Sequence, residues 1–168
     1  EEVFDIGEFL IDQSVEIPAP IHILSYEDES GKLIPIITED NISMIKGQAK
    51  SRKSTLIKAI ASTILSQRPY KFGRIITSDY YRNNLAIVDT EQGEYHCWRA
   101  AKSISNLAER QVIYYKVAGL SGEKKKKLVE KHLELNPSCG VMILDNIVHF
   151  LNDFNDTKES SALVEWLI

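Results

Sequence analysis

Three short stretches carry residue types that together could handle a nucleoside triphosphate. The first is Lys46-Gly47-Gln48-Ala49-Lys50-Ser51-Arg52-Lys53-Ser54-Thr55. Gly47 through Ser54 follow the phosphate-loop pattern G-x-x-x-x-G-K-[ST], with Arg52 standing in place of the second glycine. In such a loop, successive backbone N–H groups curl around an anion. The following helix turns its unpaired N–H groups and positive dipole end toward the same anion. Gly47, Gln48, Ala49, Lys50, Ser51 and Arg52 would form the cradle, and Lys53 would reach the β- and γ-phosphates. The Ser54 hydroxyl would hold Mg2+, and Thr55 would add a contact. The plain alternative is an ordinary helix start with basic residues near its N-cap.

The second stretch is Val141-Met142-Ile143-Leu144-Asp145, an apolar run that ends in a carboxylate. In a phosphate-loop domain that carboxylate orients the Mg2+ shell through Ser54 and water. Taken alone, it also fits a strand whose final aspartate caps a turn. The third is Asp89-Thr90-Glu91-Gln92-Gly93. Hydrolysis needs a carboxylate to polarise the attacking water in line with the γ-phosphate, and Glu91, just past a strand end, is placed for that. A solvated acidic turn, with Gly93 supplying an unusual φ, is the alternative. Parallel sheets carry ligands at the carboxyl ends of their strands, so Asp145, Asp89, Glu91 and the Gly47 loop should converge on one edge.

The elements that must position these residues can be read from periodicity. Residues 1–20 are an acidic lead-in ending in Pro18-Ala19-Pro20. Ile21–Ser25 and Leu33–Ile37 form a hairpin, with Pro35 favouring an edge strand. Asn41–Lys46 should be the strand that enters the phosphate loop. A helix from Lys53 to Gln67 carries Leu56, Ile57, Ile60, Ile64 and Leu65 at helical spacing and closes at Pro69. Leu85–Val88 reads as a buried strand and Gln111–Val117 as another. Between them, Tyr95 to Arg110 reads as a helix with Trp98, Ala101, Ile104, Leu107 and Ala108 on one side. Ser121 caps a helix through Leu135, stopped by Asn136-Pro137. Val141–Asp145 is the last strand, and Asp156 or Thr157 caps a final helix, with Glu159 completing a capping box. Strands alternating with helices predict an α/β fold with a mostly parallel sheet.

Composition limits the function classes. The 168 residues are 43% hydrophobic and 26% charged, enough for one globular core. The formal net charge of −4 gives no global pull toward nucleic acid, so any such contact is a local patch. Cys97 and Cys139 lack metal-ligand spacing and suit a reducing, cytoplasmic setting. No apolar run reaches the roughly 18 residues of a membrane helix, and no signal-peptide pattern leads the chain. Lys124–Lys127 reads as a solvated face or, less simply, a phosphate-backbone contact. Tyr80-Tyr81-Arg82-Asn83 reads as a loop or a base-stacking platform. His96 and Cys97 beside Trp98 read as core or groove residues, and His149 as a buried residue or a phosphate sensor.

Lys46–Ser54, Ile87-Val88-Asp89-Thr90-Glu91 and Ile143-Leu144-Asp145-Asn146 together resemble the RecA-type P-loop ATPases, and most closely the RepA-like helicase branch of plasmids and mobile elements. The loop, with the run Asn152-Asp153-Phe154-Asn155-Asp156 ahead of an acidic helix start, is similar to ATPases of Bacteroides-type conjugative elements. The resemblance covers most of residues 41–168. It implies a RecA-like core over 41–168 after an N-terminal hairpin within 1–40. It also implies that Lys53 binds phosphate and serves catalysis, that Ser54 and Asp145 hold Mg2+, and that Glu91 is the catalytic base. The implied ligand is ATP with Mg2+. In the full-length protein the implied partners are single-stranded DNA and further copies of the chain, in DNA replication. RecA-type sheets place one more strand between the strand ending at Asp145 and the phosphate-loop strand. The chain stops one helix after Asp145, so the core is expected to be incomplete at its C-terminus. A small-molecule or nucleotide kinase and a non-catalytic nucleotide-dependent assembly module are the other readings.

Overall fold

A computed structural model describes residues 7, 10–48, 52–66, 71–77, 84–153 and 155–168, apart from the side chains of 71 and 72. The loop residues Ala49, Lys50 and Ser51, the expected helix end at Gln67 to Pro69, and Tyr80–Asn83 lie outside the described residues.

The hairpin forms as the alternation requires. β1 (His22–Glu27) pairs antiparallel with β2 (Leu33–Thr38). The Asp28 carboxylate closes the turn by accepting from the Ser30 and Lys32 backbone N–H groups at 2.8 and 2.9 Å. Gly31, at φ 81°, takes the left-handed conformation that a side chain would resist. Pro35 cannot donate to a ladder, and β2 is an edge strand. After α1 (Lys53–Leu65), β3 (Lys71–Phe72) and β4 (Ile75–Thr77) return to this sheet, and β4 pairs with β1. The hairpin expected as a lead-in is thereby tied to the segment that follows α1.

The remaining elements alternate: β5 (Asn84–Asp89), α2 (Glu94–Ala108), β6 (Ile113–Lys116), α3 (Gly122–Leu135), β7 (Cys139–Asp145) and α4 (Thr157–Leu167). β5 pairs in parallel with β6 on one side and β7 on the other. The chain is therefore α/β, with a three-stranded parallel sheet and four helices among the described residues. Both faces of β5 are covered, as a parallel strand requires. Leu85 and Ile87 enter a core shared with Ile23, Leu24, Ile60, Ile64 and Ile104. Val88, one residue out of phase, packs with Val117, Val129, Phe150 and Leu163 on the opposite side.

Asn41–Lys46 corrects the sequence reading, because it forms no strand. Ile42, Met44 and Ile45 are 58%, 79% and 42% exposed. An apolar run becomes a strand only where a neighbour takes up its backbone hydrogen bonds, and the ladder of β7 is with β5. A second correction concerns α2. Cys97, Ala100, Ile104 and Ala108 are buried, whereas Trp98 and Leu107 are about half exposed. The buried stripe runs one position away from the bulky residues. Cys97 and Ala100 let the helix lie close to its neighbours, and Trp98 stacks on Tyr95 at the surface instead.

The lysine run is also more than a solvated face. Gly122, Lys125, Val129 and His132 form the buried side of α3. The Lys125 ammonium donates to the His149 carbonyl at 2.6 Å, and burial lowers its pKa. Ser121 caps α3 through the Lys124 N–H, and Asp156 caps α4 through the N–H groups of Lys158 and Glu159. The expected capping box is half present. Glu159 reaches past the N-cap to accept from the N–H groups of Asn152 and Asp153, both at 2.9 Å.

α3 starts hard against the 3-10 turn Ile147–Phe150. A Cβ on Gly122 would run into the Phe150 carbonyl oxygen and come within 2.8 Å of its carbon. Backbone cannot yield as a side-chain tip does. Gly122→Ala is expected to destabilise the chain by about 2 kcal/mol through overpacking, read as a lowered urea midpoint at unchanged slope.

Candidate functional site

The site grows from the register of β5 and β7. Their pairing sets Asp89 opposite Asp145 at the carboxyl ends of both strands. The ladder then continues by one backbone bond and one bond to a side chain. The Thr90 N–H donates to the Asp145 carbonyl at 2.8 Å, and the Asn146 N–H donates to Thr90 Oγ1 at 2.8 Å. Thr90 is 95% buried, so its hydroxyl works as a fixed tie between the two strand ends. The Asp145–Asn146 peptide is cis.

Asp89 does not face outward. It is 1% exposed, and its Oδ1 accepts from the N–H groups of Glu91 and Gln92 at 3.0 and 2.8 Å. Its Oδ2 accepts from the Tyr114 hydroxyl at 2.8 Å. Burial, together with that bond to Asp89, drives the Tyr114 pKa upward, so the phenol stays a donor. Asp89 is the anchor of the 90–92 turn and holds the backbone from which Glu91 projects. The Glu91 side chain is 49% exposed.

Lys53 reaches the same edge from α1. Its ammonium sits 2.8 Å from Asp145 Oδ1, with the two side chains 28% and 14% exposed. Two of the three stretches that the sequence singled out thus meet in one ion pair. The start of α1 is electrostatically unusual. α2, α3 and α4 carry Glu94, Glu123 and Glu159 in their first turns, which suits the positive end of a helix dipole. The first turn of α1 carries no acid. Its N-cap is Arg52, whose guanidinium has no acceptor with which to cap a helix N–H. Ser54 and Thr55 follow as exposed residues of that turn. Gly47 and Gln48 precede it in exposed, irregular chain.

Thr90, Asn146 and His149, to which the sequence reading gave no catalytic role, complete the edge. The Asn146 side-chain amide donates to Glu91 Oε1 at 3.2 Å. His149 Nδ1 lies 2.9 Å from Thr90 Oγ1 and 4.0 Å from Glu91 Oε1. The expectation that His149 is buried is overturned, since its side chain is 44% exposed. The 3-10 turn spends its inward position on Phe150, which is 1% exposed, and leaves the histidine at the rim. The signal for Thr90 and Asn146 lay in pairing Asp89-Thr90 with Asp145-Asn146 in register, which places a hydroxyl beside an amide.

Among the described residues no three His, Cys, Asp or Glu side chains gather as a metal site. Mg2+ needs less, because it keeps several waters and takes one or two protein oxygens beside those of a phosphate. The oxygen donors Ser54 and Asp145 fit that requirement. Cys97 is buried against the 90–93 turn, and burial followed by the charge of Asp89 raises its pKa. No helix among the described residues is long and apolar enough to cross a membrane. No protein-family model, curated protein or solved structure matches the chain.

Arg52 stands at φ 61°, in the left-handed region, at the position where the phosphate-loop pattern has glycine. A side chain there costs about 1 kcal/mol relative to glycine. Arg52→Gly should therefore be more stable than Arg52→Ala by about 1 kcal/mol, read as a higher urea midpoint in equilibrium denaturation.

Proposed function

We propose that the chain carries a RecA-like P-loop core that binds ATP with Mg2+, from a DNA-processing ATPase such as a replicative helicase of a plasmid or conjugative element. The observation that carries the proposal is the 2.8 Å pair between Lys53 and Asp145. The phosphate-loop reading named these two residues for one ligand although they are far apart in sequence. The start of α1 adds to it, with two cations, no acid in the first turn and exposed hydroxyls at Ser54 and Thr55. The first turn supplies no anion of its own and Asp145 from β7 stands in for one, a place that a phosphate chain could take.

In this reading Gly47 through Arg52 line the phosphates with backbone N–H groups. Lys53 exchanges one oxygen anion for another, moving from Asp145 to the β- and γ-phosphates. The Asp145 carboxylate, relieved of its ammonium, and the Ser54 hydroxyl are then free to hold Mg2+. When bound, the ion neutralises charge that develops on the phosphate oxygens. Glu91 takes the proton of the attacking water. Single-stranded DNA and further copies of the chain are the proposed partners in the full-length protein.

Calorimetry with Mg·ATP tests this on the wild type and on Lys53→Ala. The wild type is expected to bind. The variant should lose about 10-fold or more in affinity, the worth of one charge-assisted hydrogen bond. Equal binding by both, or none by a folded wild type, would overturn the assignment. Turnover of the full-length protein that rises with single-stranded DNA supports the helicase-type reading. Turnover that instead requires a phosphate acceptor points to a kinase, and binding without turnover points to an assembly module.

A further inference from the structure

The carboxylate of Glu91 is held. Asn146 donates to its Oε1 at 3.2 Å, and His149 Nδ1 lies 4.0 Å from the same atom. Both residues come from the few positions after Asp145, and both are themselves fixed. The Asn146 N–H donates to Thr90 Oγ1 at 2.8 Å, while its side-chain oxygen accepts from the Val148 N–H at 3.2 Å. The His149 ring meets Thr90 Oγ1 at 2.9 Å, and the His149 carbonyl accepts from the buried Lys125 ammonium at 2.6 Å. A half-exposed glutamate would otherwise sample several rotamers, and ordering it costs entropy. The Asn146 bond to Oε1, with the Thr90-tied His149 ring standing beside the same oxygen at 4.0 Å, narrows that range and leaves Oε2 as the oxygen that addresses substrate.

We propose that Asn146 and His149 are positioning residues that aim Glu91. The inference rests on the reading of Glu91 as the base. In that step the water oxygen bonds to the γ-phosphorus as the bond to the β–γ bridging oxygen breaks. The electron pair leaves with ADP, and the water proton passes to Glu91. The geometry also joins two events. Asp145 holds Lys53 and the next residue holds Glu91, so a ligand that draws Lys53 away acts beside the anchor of the base.

The test uses the full-length protein with saturating single-stranded DNA. Asn146→Asp keeps an oxygen to cap the Val148 N–H but replaces the donor facing Glu91 with a like charge. His149→Ala removes a ring that is already half exposed and so threatens the fold less; it decides alone if the aspartate variant does not fold. Expected is a fall in kcat of about 10-fold for Asn146→Asp and about 3-fold for His149→Ala, with the KM for ATP within about 2-fold of wild type. The Mg·ATP affinity by calorimetry should not move. Wild-type turnover with kcat kept in both folded variants overturns this inference alone, as does a change confined to KM. A wild type that fails to bind Mg·ATP overturns the reading on which it rests. Binding without turnover removes Glu91 as a base, and this role for its neighbours with it.

Discussion

Parallel pairing of β5 with β7 is the constraint on which the rest of the edge depends. Its register runs from Leu85 opposite Val141 to Asp89 opposite Asp145. A slip of one residue would turn Leu85 and Ile87 out of one core and Val88 out of the other. Two separate hydrophobic cores thus fix how the polar ends meet. Thr90 extends the pairing by one side-chain rung and ties the turn bearing Glu91 to the chain leaving Asp145. The distances around Glu91 are therefore set by aliphatic packing well below them. Asp89 completes the arrangement, with Oδ1 accepting from the turn's backbone and Oδ2 from the Tyr114 hydroxyl, so that the turn has a floor.

Above that frame the electrostatics are deliberately incomplete in one place. Lysine at the first position of a helix opposes the dipole, and nothing in the first turn of α1 offsets it. Asp145 supplies the counter-charge from another element. With both partners less than a third exposed, each has given up water, and removing one would strand the other. Exchange is a different matter. An incoming anion can replace Asp145 at Lys53, and a cation can replace Lys53 at Asp145, without leaving either charge bare. That is the sense in which an ion pair between these two elements suits a site for Mg·ATP.

Much of the fold was legible because it rests on local rules. The hairpin showed in its alternation and in Pro35, α3 in Ser121 and Asn136-Pro137, and α4 in Asp156. The helix start at Lys53 and the strand end at Asp145 were legible from their local patterns, whereas the ion pair between them was not, because it depends on where α1 and β7 come to lie. What failed depended on partners. Asn41–Lys46 has the composition of a strand, yet a strand is a relation between two segments. Trp98 looked like core by size, whereas close packing of α2 selected the smaller Cys97 and Ala100. Lys125 has the same identity as the lysines on either side, and only a carbonyl across the interface distinguishes it. Thr90, Asn146 and His149 are short polar residues without periodicity, so their meeting is visible only once the register is known.

Asn146 shows why the identity of such a residue matters. It must accept, to cap the Val148 N–H, and donate, to reach Glu91 Oε1, with one side chain at the end of a strand. Aspartate could do the first and would repel the glutamate; serine is shorter by one bond; glutamine is longer and pays more rotamer entropy to do either. An amide on a short stem meets both demands, and its backbone N–H meets a third at Thr90. Three elements are thereby coupled through one residue next to Asp145. A displacement of the strand end by even a few tenths of an ångström would be felt at the Glu91 carboxylate, because no link in that chain of contacts is a flexible one: a strand ladder, a buried hydroxyl and a planar amide.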